Sequence, residues 1–102
     1  MSDIRQAQKA LVRRILEGDG KASPSERRAA FNNSGVSEPL GTLVDKVAKH
    51  AYRVIDEDIT GAKLSGLSED QVFEIVVCAA VGQATRQYET AFASLKDATG
   101  KE

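Results

Sequence analysis

Residues Ser68–Lys96 read SEDQVFEIVVCAAVGQATRQYETAFASLK and have the features of a single long helix. Ser68 is suited to cap a helix, and Gln71 follows three residues later, in the spacing of a capping box. No proline interrupts the stretch, which therefore predicts one long helix that ends before Gly100. At 1.5 Å per residue, a helix of roughly 28 residues is about 40 Å long. We expect the rest of the chain to be organised around this helix.

The two halves of the long helix differ in their side chains. From Val72 to Val81 almost every position is apolar, and Glu74 is the only charged residue among them. From Gln83 onward only one stripe is apolar, formed by Ala84, Tyr88, Ala91, Phe92 and Leu95. A helix that is apolar on every side must be covered on every side, which 102 residues can hardly achieve within one subunit. The first half of the helix therefore predicts contact with a neighbouring subunit.

Four shorter helices are predicted upstream, and no alternating segment predicts a strand. Their expected limits are a cap at Ser2 or Asp3 to about Glu17, Pro24 to about Phe31, a cap at Ser37 through an apolar stripe that reaches Ile55, and Glu57 to about Leu64. The predicted fold class is all-α, with about five helices in one domain of residues 1–102. Residues 1–36 hold the N-terminal helices. Residues 37–97 hold the core, in which the long helix packs on the antiparallel third helix.

Composition excludes several classes of function. The chain is 41% hydrophobic and 28% charged, with a net charge of −1, whereas nucleic-acid and anionic-membrane binding both need a basic excess. The first helix offers only a weak basic face for nucleic acid, made of Arg5, Lys9, Arg13 and Arg14. No segment has the ~18 apolar residues of a membrane span, and the start lacks the apolar core of a signal peptide. We therefore expect a cytoplasmic protein with neither nucleic acid nor membrane as a partner.

Metal and phosphate sites are poorly supported by the spacing of polar residues. His50 and Cys78 are 28 residues apart and form no ligand cluster of recognised spacing. The acidic run 56–58 lacks the glycine turn of a calcium loop and fits the start of a helix better. The pair Arg27 and Arg28 is interpreted as the solvated face of a short helix. We expect no metal and no cofactor.

Four residues are weak catalytic candidates: His50, Tyr52, Glu74 and Cys78. Cys78 lies among apolar neighbours, so burial is expected to raise its pKa and make it inert. His50 borders the apolar stripe of the third helix and is expected to be a half-buried structural residue, with proton transfer as the alternative. Tyr52, like Tyr88, is expected at the rim, with its ring packed and its hydroxyl on a polar group.

Glu74 is the least expected charge in the chain, and two explanations remain open. One is a buried acid with a raised pKa. The other, which we favour, is an ion pair with Lys46, Lys49, Arg53 or a neighbouring subunit.

The segment DEDITGAKLSGLSEDQVFEIVVCAAVGQATRQYETAF, residues 56–92, resembles the alkylhydroperoxidase D-like superfamily, which includes the carboxymuconolactone decarboxylases. The strongest part is the short helix followed by SGLSEDQVFEIVVCAAVG. Together with the third helix, the resemblance covers about residues 40–95. It implies an all-helical homo-oligomer, commonly a trimer or a hexamer.

The redox branch of that superfamily carries a Cys-x-x-Cys pair and a histidine before the short helix. The resemblance places those positions approximately on Ala51, Val54 and Asp58, so that none of the three reactive groups is present. It therefore implies a non-redox member that acts by interaction or by binding a small molecule. The alternative is a peroxidase- or decarboxylase-like enzyme with a reduced site that uses Cys78, or His50 with Glu74 and Tyr52, between the third and the long helix.

Overall fold

A computed structural model describes residues 2–99 of the chain, and the described part is all-helical. Its elements are α1 (Ser2–Glu17), α2 (Pro24–Asn32), α3 (Leu40–Lys49), a 3₁₀ turn (Ala51–Arg53), α4 (Asp56–Leu64) and α5 (Glu69–Thr99). No strand occurs in this range, and the prediction of five α-helices is confirmed. None of these helices has the length and apolarity that crossing a membrane requires.

The start of α5 follows from the sequence in the predicted way. The Ser68 hydroxyl accepts a hydrogen bond from the Gln71 N–H at 3.1 Å, and the Gln71 side chain accepts one from the Ser68 N–H at 2.7 Å. This reciprocal pair satisfies two of the free donors at the beginning of the helix. From there α5 runs for 31 residues, or about 46 Å.

The third helix is shorter than predicted. It ends at Lys49, and the backbone of His50 leaves the helical region (φ −146°, ψ 57°). The apolar stripe continues beyond this point, because Val54 packs on the core from an extended backbone, whereas Ala51 and Ile55 are exposed. The predicted cap at Ser37 is also wrong, since the carboxylate of Glu38 accepts the Thr42 N–H at 3.0 Å instead.

The main packing partner of α5 is α2, ahead of α3, although α3 was the predicted one. At the crossing with α2, Gly82 lies against the carbonyl of Phe31, and a Cβ at Gly82 would overlap that oxygen. The core between the helices is made of small and aliphatic residues, with these most deeply buried: Ala30, Leu43, Val44, Ala62, Ile75, Cys78 and Ala79. A glycine in the middle of α5 therefore sets how closely α2 approaches.

The first helix runs antiparallel to α5. The Gln8 amide donates to the Thr85 hydroxyl at 3.1 Å, and further along α1 the Ile15 carbonyl faces the Cys78 thiol at 3.6 Å. The loop after α1 then contacts Glu74, near the beginning of α5. The end of α1 therefore lies beside the beginning of α5. As a result, α1, α2 and α3 cover one side of α5 and leave the other side open.

Candidate functional site

Glu74 fastens the loop between α1 and α2 to α5. Its carboxylate accepts hydrogen bonds from the backbone N–H of Lys21, at 2.9 and 2.8 Å to the two oxygens, and from the N–H of Ala22 at 2.8 Å. These two donors, more than the nearby Arg27 and Lys21 charges, lower the pKa of Glu74 below its ordinary value. The acid in the apolar half of α5 is therefore a structural clamp in its ionised form.

Within one chain, neither the buried acid with a raised pKa nor the ion pair with Lys46 or Lys49 is formed, and a pair with a neighbouring subunit stays a prediction. The carboxylate is bound by backbone N–H groups, whereas Lys46 pairs with Asp58 at 2.9 Å and Lys49 with Asp45 at 3.2 Å. Its pKa is lowered where the buried-acid explanation required it to be raised. Backbone donors carry no side-chain signal, so the sequence offered no means of finding this partner.

Arg27 is buried, contrary to the expectation of a solvated pair. Its exposed fraction is 6%, and its guanidinium donates to the carbonyls of Ile15 at 3.2 Å and Gly18 at 2.7 Å. It thereby satisfies carbonyl groups at the end of α1, where a cation is favourable. Arg28 behaves as expected, because it is exposed and reaches Glu17 at 3.5 Å.

A cavity of about 340 Å³ lies between the end of α1 and the first half of α5. Its walls include Glu74, Arg27, Asp19 and Arg14, together with the apolar side chains of Phe73 and Val77 and the thiol of Cys78. The charges in these walls are two positive and two negative. Glu74 is hydrogen-bonded to backbone N–H groups, whereas Arg27 donates to backbone carbonyls through Nη1 and its buried Nε has no hydrogen-bond partner. The cavity therefore has the size for a small molecule but no excess of charge that would select an anion or a cation.

Cys78 is a packing residue, as predicted. Its exposed fraction is 1%, and burial raises the pKa of its thiol. The nucleophile in thiol chemistry is the thiolate, which this environment disfavours.

The other two catalytic candidates lie at the end of α3, apart from the cavity. The His50 and Tyr52 rings meet edge to face at 5.9 Å, and both side chains are exposed. The expectation of a half-buried His50 is wrong because α3 ends just before it. Tyr52 is 79% exposed, so its ring is less packed than a rim position implies. The structure thus brings together His50 with Tyr52, and Glu74 with Cys78, but does not unite the two pairs in one site.

The three positions that the resemblance assigns to the redox motif lie in three different environments. Ala51 is exposed, Val54 packs against the core, and Asp58 accepts hydrogen bonds from Lys46 and from the Ile55 N–H. The Ile55 N–H, more than Lys46, lowers the pKa of Asp58. Asp58 therefore fixes the start of α4 and the join to α3. Among the described residues, no group of three or more His, Cys, Asp or Glu is placed to hold a metal ion.

The most extended feature on α5 is an uncharged side that the other helices leave open. Its residues follow one another at intervals of three or four, so they lie on one side of the helix. We call it the open α5 face; it consists of Phe73, Val77, Ala80, Ala84, Gln87, Ala91 and Leu95. All of these are exposed except the partly buried Val77, and Phe73 and Leu95 are exposed by 68% and 59%. From Phe73 to Leu95 the face runs over 22 helical steps, or about 33 Å.

The charged residues of this segment of α5 all point toward the rest of the fold. Glu74 binds the loop, Arg86 donates to the Phe31 carbonyl at 2.6 Å, and Glu89 lies 3.6 Å from Arg5. The open α5 face is therefore uncharged along its whole length. The predicted apolar stripe coincides with its second half only in part: Ala84, Ala91 and Leu95 belong to both, whereas Tyr88 and Phe92 are partly buried with Arg5 over their rings.

Comparison of the chain with protein-family models, with curated proteins and with solved structures finds no match in any of the three. The resemblance to the alkylhydroperoxidase D-like superfamily stays a prediction. The fold and its sites are therefore interpreted from their own geometry.

Proposed function

We propose that this chain is a homo-oligomeric helical protein, a non-redox relative of the alkylhydroperoxidase D-like proteins, which acts by interaction through α5. The observation that carries the proposal is the open α5 face. Isolated apolar side chains are common on protein surfaces, but a continuous uncharged face of about 33 Å with an exposed Phe73 marks a contact surface.

The enzymatic alternative has less support from the geometry. Cys78 is buried with a raised pKa, the carboxylate of Glu74 is occupied by the loop, and His50 lies in a different part of the surface. A nucleophile and a base within hydrogen-bond reach are the minimum for covalent catalysis. Binding of a small molecule in the cavity beside Phe73 is compatible with the proposal and would occur next to the contact surface.

Light scattering of the chain as it elutes from gel filtration tests the proposal. We expect a mass that is a multiple of the 11.0 kDa of one chain at micromolar concentration and that falls on dilution. A mass of one chain at every concentration up to about 100 μM would refute it, because a biological contact surface has a dissociation constant below that concentration.

A further inference from the structure

We infer that a cleft between α1, α2 and α5 binds a small phosphate monoester that carries an apolar ring. The cleft has a volume of about 400 Å³, which is within the range of small-molecule sites. It lies on the side of α5 that α1 and α2 cover. Its occupation therefore does not depend on the proposed contact through the open α5 face.

The walls of the cleft carry an excess of positive charge, in contrast to the cavity at the beginning of α5. Four cations and two carboxylates line it: Arg5, Lys9, Arg13 and Arg28, with Glu17 and Glu89. Each carboxylate already has a cation beside it. Glu89 lies 3.6 Å from Arg5, and at the other pair Glu17 lies 3.5 Å from Arg28. The remaining two positive charges are therefore left for a ligand.

Lys9 and Arg13 carry these two charges. Among the described residues, no hydrogen bond or ion pair reaches either side chain. They are four residues apart on α1, so they are neighbours on one face of the helix, and both are exposed. A phosphate monoester has a charge of about −1.5 to −2 at pH 7, which matches two cations, whereas a carboxylate matches only one. Arg13 can bind two phosphate oxygens at once, and Lys9 acts as a point charge.

An apolar wall lies beside the two cations. It is formed by Val12 and Leu16 on α1 and by Phe31 on α2. Leu16 is 6% exposed, and Val12 and Phe31 are partly buried. A ligand that consists of phosphate alone would leave this wall in contact with water, whereas a ring would cover it. The cleft therefore fits a dianion that is joined to an apolar ring.

The ends of the cleft disfavour a long polyanion. Because α1 runs antiparallel to α5, the pair of Glu89 with Arg5 lies at one end and the pair of Glu17 with Arg28 at the other. A nucleic-acid strand that continued past the two free cations would meet a carboxylate in either direction, and the net charge of the chain is −1. The charge pattern thus selects a small ligand over a polymer.

Isothermal titration calorimetry with phenyl phosphate, at low salt and in a buffer without phosphate, tests the site on the full chain. We expect a dissociation constant below about 1 mM. Inorganic phosphate should bind at least about five times more weakly, because it leaves the apolar wall uncovered. Equal binding of phosphate and phenyl phosphate would overturn the inference, since the ring would then contribute nothing.

Two neighbouring arginines provide a matched pair of variants. Arg13→Gln removes a cation of the cleft, whereas Arg14→Gln removes the same charge from the next residue, which is also exposed and lines the cavity beside Phe73. We expect Arg13→Gln and Lys9→Gln each to weaken the binding of phenyl phosphate at least about tenfold. Arg14→Gln should change it less than about twofold, since water and salt screen an exposed charge that does not touch the ligand.

An NMR titration of backbone amide signals locates the site without any substitution. The changes should concentrate on residues 8–17 of α1 and near Phe31 and Thr85. Changes centred on the cavity beside Phe73 would overturn the inference. So would equal affinities of Arg13→Gln and Arg14→Gln, or no binding of phenyl phosphate up to about 10 mM. None of these results bears on the mass of the chain in solution, so the proposed oligomer would stand.

Discussion

Replacing Glu74 by alanine removes the acceptor of the hydrogen bonds that hold the α1–α2 loop on α5. The Ala22 N–H, in a residue that is 2% exposed, then has no acceptor, which costs about 1–3 kcal/mol. The Lys21 N–H lies in an exposed residue where water can replace the carboxylate, and its loss adds about 0.5–1 kcal/mol. We expect the free energy of unfolding to fall by about 1.5–4 kcal/mol.

Urea denaturation at pH 7 with a circular-dichroism readout measures this loss, and thermal unfolding checks it, since each kcal/mol shifts Tm by about 4–8 °C in a domain of this size. Glu89→Ala is the matched control: it removes a glutamate from the same helix, but one whose carboxylate is half exposed and lies 3.6 Å from Arg5, so we expect a loss below about 1 kcal/mol. Equal losses for the two variants would refute the structural role of the Glu74 clamp.

The same clamp predicts a pH dependence with a definite sign. Because the folded state lowers the pKa of Glu74 from its ordinary 4.5, the stabilisation is present above pH 4.5 and is lost as the pH falls through the folded-state pKa. The difference in unfolding free energy between wild type and Glu74→Gln should therefore be constant from pH 7 to about pH 5 and shrink below pH 4.5. A difference that is unchanged down to pH 3 would contradict the assignment.

Three further predictions follow from the packing of the helices. The Cys78 thiol should react with a thiol reagent at pH 8 only when urea unfolds the chain; rapid labelling of the native protein would show that it is accessible. Gly82→Ala should cost about 3 kcal/mol or more in urea denaturation, because the new methyl group meets the Phe31 carbonyl, whereas Gly61→Ala, with 3.8 Å to Pro39, should be neutral or stabilising by up to about 1 kcal/mol. Arg27→Ala should cost about 2–3 kcal/mol and Arg28→Ala less than about 1 kcal/mol, and equal costs would contradict the buried cap at the end of α1.

The helices that carry a local signal were predictable, and the contacts made by backbone groups were not. The capping box at Ser68 and the apolar surroundings of Cys78 depend on residues that are close in the sequence. The start of α5 and the buried thiol could therefore be predicted. Glu74 binds N–H groups 52 and 53 residues away, which any residue type could supply. Nothing in the sequence distinguishes those two positions from others.

Periodicity also misled where the core continues across a change of backbone. The apolar stripe of α3 runs on into Val54, which reaches the core from an extended segment, so the stripe could not reveal the end at Lys49. Because α3 ends at Lys49, His50 is exposed, whereas the longer predicted helix placed it in a half-buried position. Arg27 and Arg28 look alike in sequence, and only the crossing of α2 over the end of α1 buries the first of them. The second half of the open α5 face could be predicted in part, because Ala84, Ala91 and Leu95 repeat at helical spacing, but periodicity alone did not show that Tyr88 and Phe92 turn toward Arg5.

Sedimentation equilibrium of two arginine variants tests whether α5 joins copies of the chain through its open face. Ala84→Arg places a charge at the middle of the face, and Ala93→Arg places the same charge on the opposite, exposed side of α5. We expect Ala84→Arg to sediment as a single chain of about 11 kDa at concentrations at which Ala93→Arg and the wild type remain associated. If Ala84→Arg has the same mass as the wild type across the concentration series, the open α5 face is not the contact.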